Sequence, residues 1–451
     1  MEEQQNGLFA LLEKYLMGPM GKIASFRFVR AVMAAGMASI PFTIVGSMFL
    51  VLNVLPQTFT FLEGFFNSTF FRISDLYMLA NKATMGILAL YFCLAIGYEY
   101  TKTFVEDEGL NVNPLNGALL SMMAFFMAIP ELVLKNGKMS VVNILSDDVK
   151  TINGWTMGDG VSRLGTTGIF TAIIMAFVAV QLYRLCVKNN WIIKMPEAVP
   201  EGVSRSFTAL IPAFLVAFVV IIINGILVAL GTDIFKLVAI PFGFVVNLTN
   251  SWLGLMVIYF IIHALWIVGI HGANIISAFL TPIVLANMQS NLDGANIPFA
   301  GEFQNSFVIM GGSGATLGLC IFIAFLAKSE QLKILGKASL APGIFNINEP
   351  LIFGLPIVYN PFLAIPFFLA PMVSATIGYF AIKFEFIKPI IAQVPWPSPI
   401  GLGAFIGTAG DYIAVIVALI CGIASFLVWL PFIRMYDKKL VVQEQGGESI
   451  I

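Results

Sequence analysis

A single carboxylate stands in a segment that is otherwise apolar and rich in proline. Between 341 and 372 the chain reads APGIFNINEPLIFGLPIVYNPFLAIPFFLAPM, and Glu349 is its only side chain that is charged at neutral pH. A carboxylate in an apolar surrounding costs several kcal/mol unless it faces a partner or water. The segment therefore predicts a functional carboxyl group with amide neighbours at Asn346, Asn348 and Asn360. The alternative is a glutamate that only caps a half-helix or bonds those amides.

The chain has 2 histidines, His263 and His271, within the segment IIHALWIVGIHGANIIS. On one helix, residues eight positions apart are separated by about 80° and about 12 Å, so the pair cannot bind one metal ion. We expect His263 to make hydrogen bonds in the core. His271 lies between Gly269 and Gly272 and is followed by Asn274, where a helix would open. We therefore expect His271 to face a ligand, with Asn274 close to it.

Two further segments interrupt the apolar pattern. Residues 301–319 read GEFQNSFVIMGGSGATLGL, and their glycines either offer backbone N–H groups to a ligand or allow close helix packing. Residues 393–411 read QVPWPSPIGLGAFIGTAGD, in which prolines flank Trp396 on both sides. A rigid indole ring can stack on the apolar face of a sugar, but Trp is also common as an anchor at the membrane boundary. The residues alone leave both alternatives open.

These groups indicate the chemistry of the ligand. One buried carboxylate, an imidazole, asparagine amides, glycine backbone and a rigid Trp suit a neutral ligand with hydroxyl groups and an apolar face. An ion would need several carboxylates, and an anionic solute would need Arg or Lys, which these segments lack. The pattern therefore predicts a carbohydrate. We expect no metal and no cofactor, because no CxxC or Cys/His ligand pattern is present among Cys93, Cys186, Cys320 and Cys421.

The composition places these residues in a membrane. Of the 451 residues, 59% are apolar and only 11% are charged, whereas soluble domains carry about a quarter of charged residues. The mean hydropathy of +0.91 shows that the deficit of charge extends along the chain. This excludes a cytosolic enzyme and a disordered scaffold. The net charge of −1 gives no electrostatic surface for DNA or RNA, so we expect no nucleic acid partner.

The fold class predicted from these data is an all-α polytopic membrane protein with about ten transmembrane helices. Each predicted span holds roughly 20 largely apolar residues. The spans are 29–55, 75–99, 114–130, 165–183, 207–231, 253–272, 274–290, 306–327, 361–382 and 411–433. Most Lys and Arg then fall on the face that carries both termini, so the positive-inside rule places both termini in the cytoplasm. The polar loop 131–164 is expected on the outer face.

Other stretches predict elements that do not span. Residues 8–30 and 234–250 mix bulky apolar residues with polar or basic ones, as interfacial amphipathic helices do. The second of them divides the chain into a five-span domain over 1–235 and a five-span domain over 236–451. Residues 342–360 contain too many prolines for one straight helix, and they predict a re-entrant hairpin.

Three motifs resemble one family of transport proteins. WIVGIHGANI at 266–275, GGSGATLGL at 311–319 and APGIFNINEPLIFGLPIVYNP at 341–361 closely resemble the membrane component IIC of sugar phosphotransferase systems. The similarity is greatest to the lactose, cellobiose and chitobiose branch, and it extends over essentially the whole chain. It implies a phosphoenolpyruvate-dependent permease in the bacterial plasma membrane. Its implied substrate is a disaccharide of the N,N'-diacetylchitobiose or cellobiose type.

The resemblance also implies an architecture and roles for residues. Members are homodimers through their first five spans, and two re-entrant hairpins of the second half enclose the disaccharide. A separate IIB protein, phosphorylated on cysteine, supplies the phosphoryl group, and lipid surrounds the permease. The family's catalytic carboxylate and histidine correspond to Glu349 and His271. The substrate-binding set implied here is Asn348, Gly312, Ser313, Trp396, Asn346 and Asn274.

Two other functions suit parts of the pattern. A proton-coupled disaccharide symporter would use Glu349 as its proton site, and broken helices near the membrane midplane are also typical of that class. A membrane transferase acting on lipid-linked sugar would need an Asp-rich metal motif, which the exposed loops lack. The symporter is thus the stronger alternative.

Overall fold

The protein is mostly helical, as the predicted class requires. The computed structural model describes residues 22, 25–58, 60–130, 132–135, 137–141, 151–152, 155–156, 162–196, 199–269, 271–355, 357 and 360–445. The predicted interfacial helix at 8–30 lies largely outside these residues. The first long helix of the described part begins at Arg27.

In the first half, long apolar helices alternate with short ones. They are α1 (Arg27–Thr58), α2 (Glu63–Ser68), α3 (Ser74–Thr84), α4 (Leu88–Glu108), α5 (Pro114–Ala128), α6 (Ile169–Lys188), α7 (Glu201–Thr208) and α8 (Leu210–Ala229). Local sequence sets some of the ends. The α4 helix ends at Gly109, whose φ of 62° is left-handed. The α5 helix begins with Pro114, and Asn113 caps it by accepting a 2.8 Å hydrogen bond from the Leu115 N–H.

In the second half, the helices are shorter and more often broken. They are α9 (Ile234–Thr249), α10 (Trp252–Ile267), α11 (Gly272–Leu292), a π-helix (Gln304–Val308), α12 (Leu317–Phe325), α13 (Glu330–Ile344), α14 (Glu349–Gly354), α15 (Pro361–Lys383), α16 (Leu402–Gly407) and α17 (Tyr412–Glu444). The α9 helix coincides with the apolar stretch predicted at 234–250, and it contains Pro241.

The polar loop 131–164 contains strands that the sequence analysis does not predict. Strands β1 (Leu132–Lys135) and β2 (Lys138–Val141) form an antiparallel hairpin. Strands β3 (Thr151–Ile152) and β4 (Trp155–Thr156) form a second, shorter one. Hairpins this short add little to an otherwise helical architecture.

The helices that are long and apolar enough to cross a membrane are fewer than the predicted spans. By length and composition, the described residues contain six, or seven if α9 and α10, bent by 84°, form one span. The predicted span at 306–327 is interrupted, as its glycines indicate, and is not one continuous helix. It consists of the π-helix, a turn and the nine-residue α12. Left-handed backbone at Gly311, Gly312, Gly314 and Ala315 interrupts it.

The chain folds into two compact units. One comprises Ser47–Leu76 and Val246–Ile451, and the other comprises Ile23–Gly46 and Tyr77–Val245. The division in the second half of the chain therefore falls within α9, between Val245 and Val246. All residues singled out above as candidate ligand contacts lie in the unit that contains Val246–Ile451.

In the other unit, α4 and α5 cross at small residues. A methyl group at Gly117 would lie 1.8 Å from Thr101 Oγ1 and 2.8 Å from the carbonyl oxygen of Gly97. A methyl group at Gly97 would lie 2.5 Å from Ser121 Oγ. Small residues of this kind let two membrane helices approach closely. The two helices can therefore cross this closely only because glycine has no Cβ atom at position 117.

We expect Gly117→Ala to lower the free energy of unfolding by about 1–3 kcal/mol, because the methyl group overpacks this crossing. The matched control is Gly64→Ala in α2, where the added methyl group meets no atom within 4 Å. That change should be neutral or slightly stabilising, since Ala favours a helix by up to about 1 kcal/mol over Gly. Thermal unfolding of the detergent-solubilised protein measures both, and equal midpoints would contradict the packing argument.

Candidate functional site

The two residues expected to carry the chemistry lie side by side. His271 Nε2 is 4.0 Å from Glu349 Oε1, which is too long for a direct hydrogen bond. Their side chains are 40% and 46% exposed, so both reach an accessible space. Glu349 is thus less buried than its apolar surroundings in the sequence suggest. Because hydrogen bonds measure about 2.7–3.0 Å, one hydroxyl oxygen can contact both atoms at once.

His271 owes its position to the break between α10 and α11. The α10 helix ends at Ile267, and Gly269 follows with a φ of 81°. A methyl group at Gly272 would lie 2.0 Å from the carbonyl oxygen of Ile262, so only glycine fits at the start of α11. The imidazole also packs against the indole of Trp266, with 4.4 Å between ring centroids. Both glycines therefore serve to direct one imidazole.

The glycine-rich segment forms a tight turn over residues 309–316, which we call the glycine turn. Three of its glycines have positive φ, and Ala315 follows with a φ of 53°. A methyl group at Gly312 would lie 2.3 Å from Asn348 Cγ, and one at Gly314 would lie 2.3 Å from Phe367 Cδ2. Close packing is thus one function of these glycines.

Most N–H groups of the glycine turn are used inside the protein. Gly311 N–H donates to Asn346 Oδ1 at 2.8 Å, and Gly314 N–H donates to His263 Nε2 at 2.9 Å. Gly312 N–H bonds the carbonyl oxygen of Ile309 at 2.8 Å. Within the described residues, the Ser313 N–H makes no such bond. The turn can therefore offer a ligand the Ser313 N–H, but not the whole row of N–H groups that the sequence suggests.

His263 makes the core hydrogen bonds expected from the sequence. It is fully buried, and its Nδ1 lies 2.6 Å from the carbonyl oxygen of Tyr259. Since Nε2 accepts from Gly314 N–H, the proton must be on Nδ1 and the ring is neutral. His263 therefore supports the glycine turn from α10 and does not face a ligand.

Asn346 joins the glycine turn to the segment that carries the rigid Trp. Its Oδ1 accepts from Gly311 N–H, while its Nδ2 donates to the carbonyl oxygens of Trp396 at 2.9 Å and Ser398 at 3.2 Å. The residue has a φ of 62°, a left-handed conformation that Asn adopts more readily than most residues. Both ends of the Asn346 amide are therefore engaged within the protein.

Asn348 makes a second connection to the same turn. Its Nδ2 donates to the carbonyl oxygen of Ser313 at 2.7 Å and to Thr316 Oγ1 at 2.8 Å. The residue is 4% exposed and directly precedes Glu349, the first residue of α14. These bonds fix the start of α14, and with it the position of the Glu349 carboxylate.

Trp396 belongs to the segment 391–398, which we call the Trp396 loop. The side chain of Trp396 is 45% exposed. The backbone of this loop is held by Asn346 and by hydrogen bonds from the N–H groups of Ile391 and Ala392 to the carbonyl oxygen of Gly407. A fixed backbone under an exposed indole is what a stacking platform needs.

The structure brings most of the predicted residues into one connected cluster. Glu349, His271, Asn346, Asn348, Gly312, Ser313 and Trp396 belong to it through the contacts above. Asn274 lies on the first turn of α11, and its side chain is outside the described residues. Nothing in the sequence alone marks Trp266 or Thr316 as part of the site. Their roles follow from a ring contact and a hydroxyl bond, which an apolar run does not reveal.

We expect Gly312→Ala to disrupt this cluster, because the methyl group would displace the Asn348 amide. Gly294→Ala is a matched control, since Gly294 has a φ of 97°, close to the 96° of Gly312, but no atom within 4 Å of the added methyl group. The control should cost roughly 1–2 kcal/mol of stability for its left-handed backbone. Gly312→Ala should cost about 1–3 kcal/mol more through overpacking. Thermal unfolding checks the difference, and equal losses would contradict the described contact.

Comparisons with known proteins point to one family. A family model described as "Phosphotransferase system, EIIC" matches residues 33–371. The lichenan permease IIC component of Bacillus subtilis (strain 168) is 32% identical, over 99% of this chain and 97% of that protein. The cellobiose-specific EIIC component of Geobacillus stearothermophilus is also 32% identical, over 98% and 96%.

Two further similarities extend this result. The lactose-specific EIICB component of Streptococcus mutans serotype c (strain ATCC 700610 / UA159) is 28% identical, over 95% of this chain and 72% of that protein. Among solved structures, the transporter ChbC, the IIC component from the N,N'-diacetylchitobiose-specific phosphotransferase system, superposes with a TM-score of 0.85. It is 33% identical, over 97% of this chain and 100% of that one.

Proposed function

Because the chain belongs to the EIIC family of the phosphotransferase system, we propose that it takes up a β-linked disaccharide of the cellobiose or N,N'-diacetylchitobiose type and delivers it phosphorylated. The printed specificities of its relatives support this sugar class. The observation that carries the proposal is the partly exposed pair of His271 and Glu349, 4.0 Å apart. It is the place where one sugar hydroxyl can meet both a base and an imidazole.

The proposed reaction transfers a phosphoryl group from a cysteine of the IIB partner. A sugar hydroxyl oxygen attacks phosphorus, the new O–P bond forms as the S–P bond breaks, and the cysteine sulfur leaves as a thiolate. The hydroxyl proton passes to the carboxylate of Glu349, and His271 Nε2 holds the same hydroxyl in place. A positioned general base is worth about 10²–10⁴ in rate.

The rest of the cluster supplies sugar binding. We place the apolar face of one pyranose on the exposed indole of Trp396, and a polar group of the sugar at the Ser313 N–H. Asn348 can still offer Oδ1, because its described hydrogen bonds use only Nδ2. The bare Cα of Gly312 permits the close approach of Asn348, and Asn274 stands one turn beyond His271 on α11.

The architecture proposed around this site follows the sequence prediction. Ten spans cross the plasma membrane, and two re-entrant hairpins, one of them over the segment 342–360, enter the second-half domain. Both termini lie in the cytoplasm, as the distribution of Lys and Arg favours. The first five spans, in 1–235, pair with a second copy in a homodimer, and 236–451 carries the transport site.

Right-side-out vesicles loaded with phosphorylated IIB test the function directly. Supplied outside with radiolabelled cellobiose or N,N'-diacetylchitobiose, they should accumulate sugar phosphate, and collapse of the proton gradient should not prevent this. A symporter would instead accumulate unmodified sugar and would fail without the gradient. The comparisons lend that alternative no support. Accumulation of unmodified sugar that requires the gradient would overturn the proposal.

Glu349→Gln should separate chemistry from binding. The amide keeps the shape and a hydrogen-bonding group but cannot accept the proton, so sugar-phosphate formation should fall by at least about 10²-fold. Sugar affinity, measured on purified protein, should change much less. The matched control is Glu63→Gln, an exposed glutamate at the start of α2, which should alter neither quantity. Equal losses of binding and phosphorylation in Glu349→Gln would show that the carboxylate only binds.

A further inference from the structure

A second carboxyl group lies close to the site and takes no part in the proposed transfer. Glu302 directly precedes the segment with the π-helix that leads into the glycine turn, and it is half-buried. The side-chain amides of Asn305 and Gln393 donate hydrogen bonds to its two oxygens. Within the described residues, no Lys or Arg pairs with it. Two neutral amides alone therefore hold this carboxylate.

Unpartnered buried groups surround the same carboxyl group. The side chain of Tyr259 on α10 is fully buried, and its hydroxyl has no hydrogen-bond partner among the described residues. The Glu302 carboxylate acts electrostatically on that phenol. Gln393 Oε1 is also buried without a partner in the described part of the chain. Buried polar groups are almost always hydrogen-bonded. The unpartnered Gln393 Oε1 can therefore accept a hydrogen bond from one additional proton in this cluster.

No charged side chain that the structure describes near Glu302 holds its pKa far from neutral pH. The α15, α16 and α17 helices pack against the π-helix, but none of their titratable groups acts on Glu302. The one titratable group among the described residues that interacts electrostatically with Glu302 is the Tyr259 phenol. Burial raises the pKa of Glu302 to about 7, against the hydrogen bonds from Asn305 and Gln393, which lower it. Both forms of the carboxyl group are therefore accessible at neutral pH.

Protonation would change how the Trp396 loop is attached. The ionised carboxyl group accepts a hydrogen bond at each oxygen, but the protonated group must donate from one of them. Rotation of the Gln393 amide would let its unpartnered Oε1 accept that proton. Gln393 is part of the Trp396 loop, and its backbone N–H donates to Ser47 Oγ at 2.8 Å. The rearrangement therefore takes place three residues from the indole.

We propose that Glu302 is a proton-binding positioning residue, which holds the Trp396 loop in the described arrangement when ionised and loosens it when protonated. At Gln393, a hydrogen bond from a neutral acid then replaces one to a charged carboxylate, which is roughly twice as strong. The loop would therefore be attached more weakly at that end, while Asn346 still holds the other end. The stacking surface of Trp396 thus responds to pH. Its effect on sugar affinity rests on the function proposed above, whereas the response of the loop does not.

Indole fluorescence tests the response of the loop without sugar. The contribution of Trp396 is the difference between the purified protein and Trp396→Phe, measured across a pH titration. We expect a transition with a midpoint near pH 7, absent in Glu302→Gln, whose neutral amide cannot ionise. A transition that persists in Glu302→Gln would overturn the proposal.

Infrared difference spectra test the protonation itself. The carbonyl band of a protonated carboxylic acid should appear as the pH falls through about 7, and Glu302→Gln should lack that component. Gln393→Met serves as the second variant, because it keeps Glu302 and removes the amide that links it to the loop. It should retain the infrared band and lose the fluorescence transition. Absence of the band in the unmodified protein would contradict the proposal even if Glu302→Gln fails to fold.

Sugar affinity completes the test. Binding of cellobiose or N,N'-diacetylchitobiose should tighten by about 5–10-fold between roughly pH 5.5 and 8.5, and Glu302→Gln should change by less than about twofold. A pH dependence that remains in Glu302→Gln would assign it to other groups and contradict the role of Glu302 in affinity. If neither sugar binds at any pH, the proposed function fails, and the fluorescence and infrared results decide the role of Glu302 alone.

Discussion

The site depends on one buried amide. Asn346 accepts from the Gly311 N–H and donates to the carbonyl oxygens of Trp396 and Ser398. It thus joins three stretches of irregular backbone that are far apart in sequence. Each of these backbone groups would otherwise be a buried polar group without a partner, which costs about 1–3 kcal/mol. The asparagine therefore stabilises the irregular backbone and fixes the positions of the groups beside it.

The same constraint explains why the site has glycines and asparagines where a helix would be expected. Irregular backbone within a membrane protein is tolerated only where the protein itself satisfies it or where it lines a cavity. Here His263 and Asn348 provide that support at the glycine turn, next to Asn346. The supported turn and the start of α14 then leave Glu349 and His271 partly exposed and within reach of one ligand atom.

The sequence predicts the places where the helices break better than the number of helices. Its glycine and proline patterns locate the glycine turn, the start of α14 and the Trp396 loop, because these residues directly restrict backbone conformation. The count of ten spans rests on hydropathy, and only six described helices, or seven with the bent pair, are long and apolar enough. The roles of Asn346 and Trp266 depend on contacts between distant segments, which composition and periodicity do not encode. The sequence does not indicate a role for the Glu302 carboxylate either, because its contact with Gln393 also joins distant segments.

A structure of the protein with a bound disaccharide, determined in lipid nanodiscs, would show whether Glu349 and His271 contact the same sugar hydroxyl. We expect one sugar molecule with a hydroxyl oxygen within hydrogen-bonding distance of both Glu349 and His271, and with a pyranose ring stacked on Trp396. The amide of Asn346 should keep its three described bonds in that structure. A sugar bound away from Glu349 and His271, or an Asn346 amide turned to bind the sugar, would contradict this expectation.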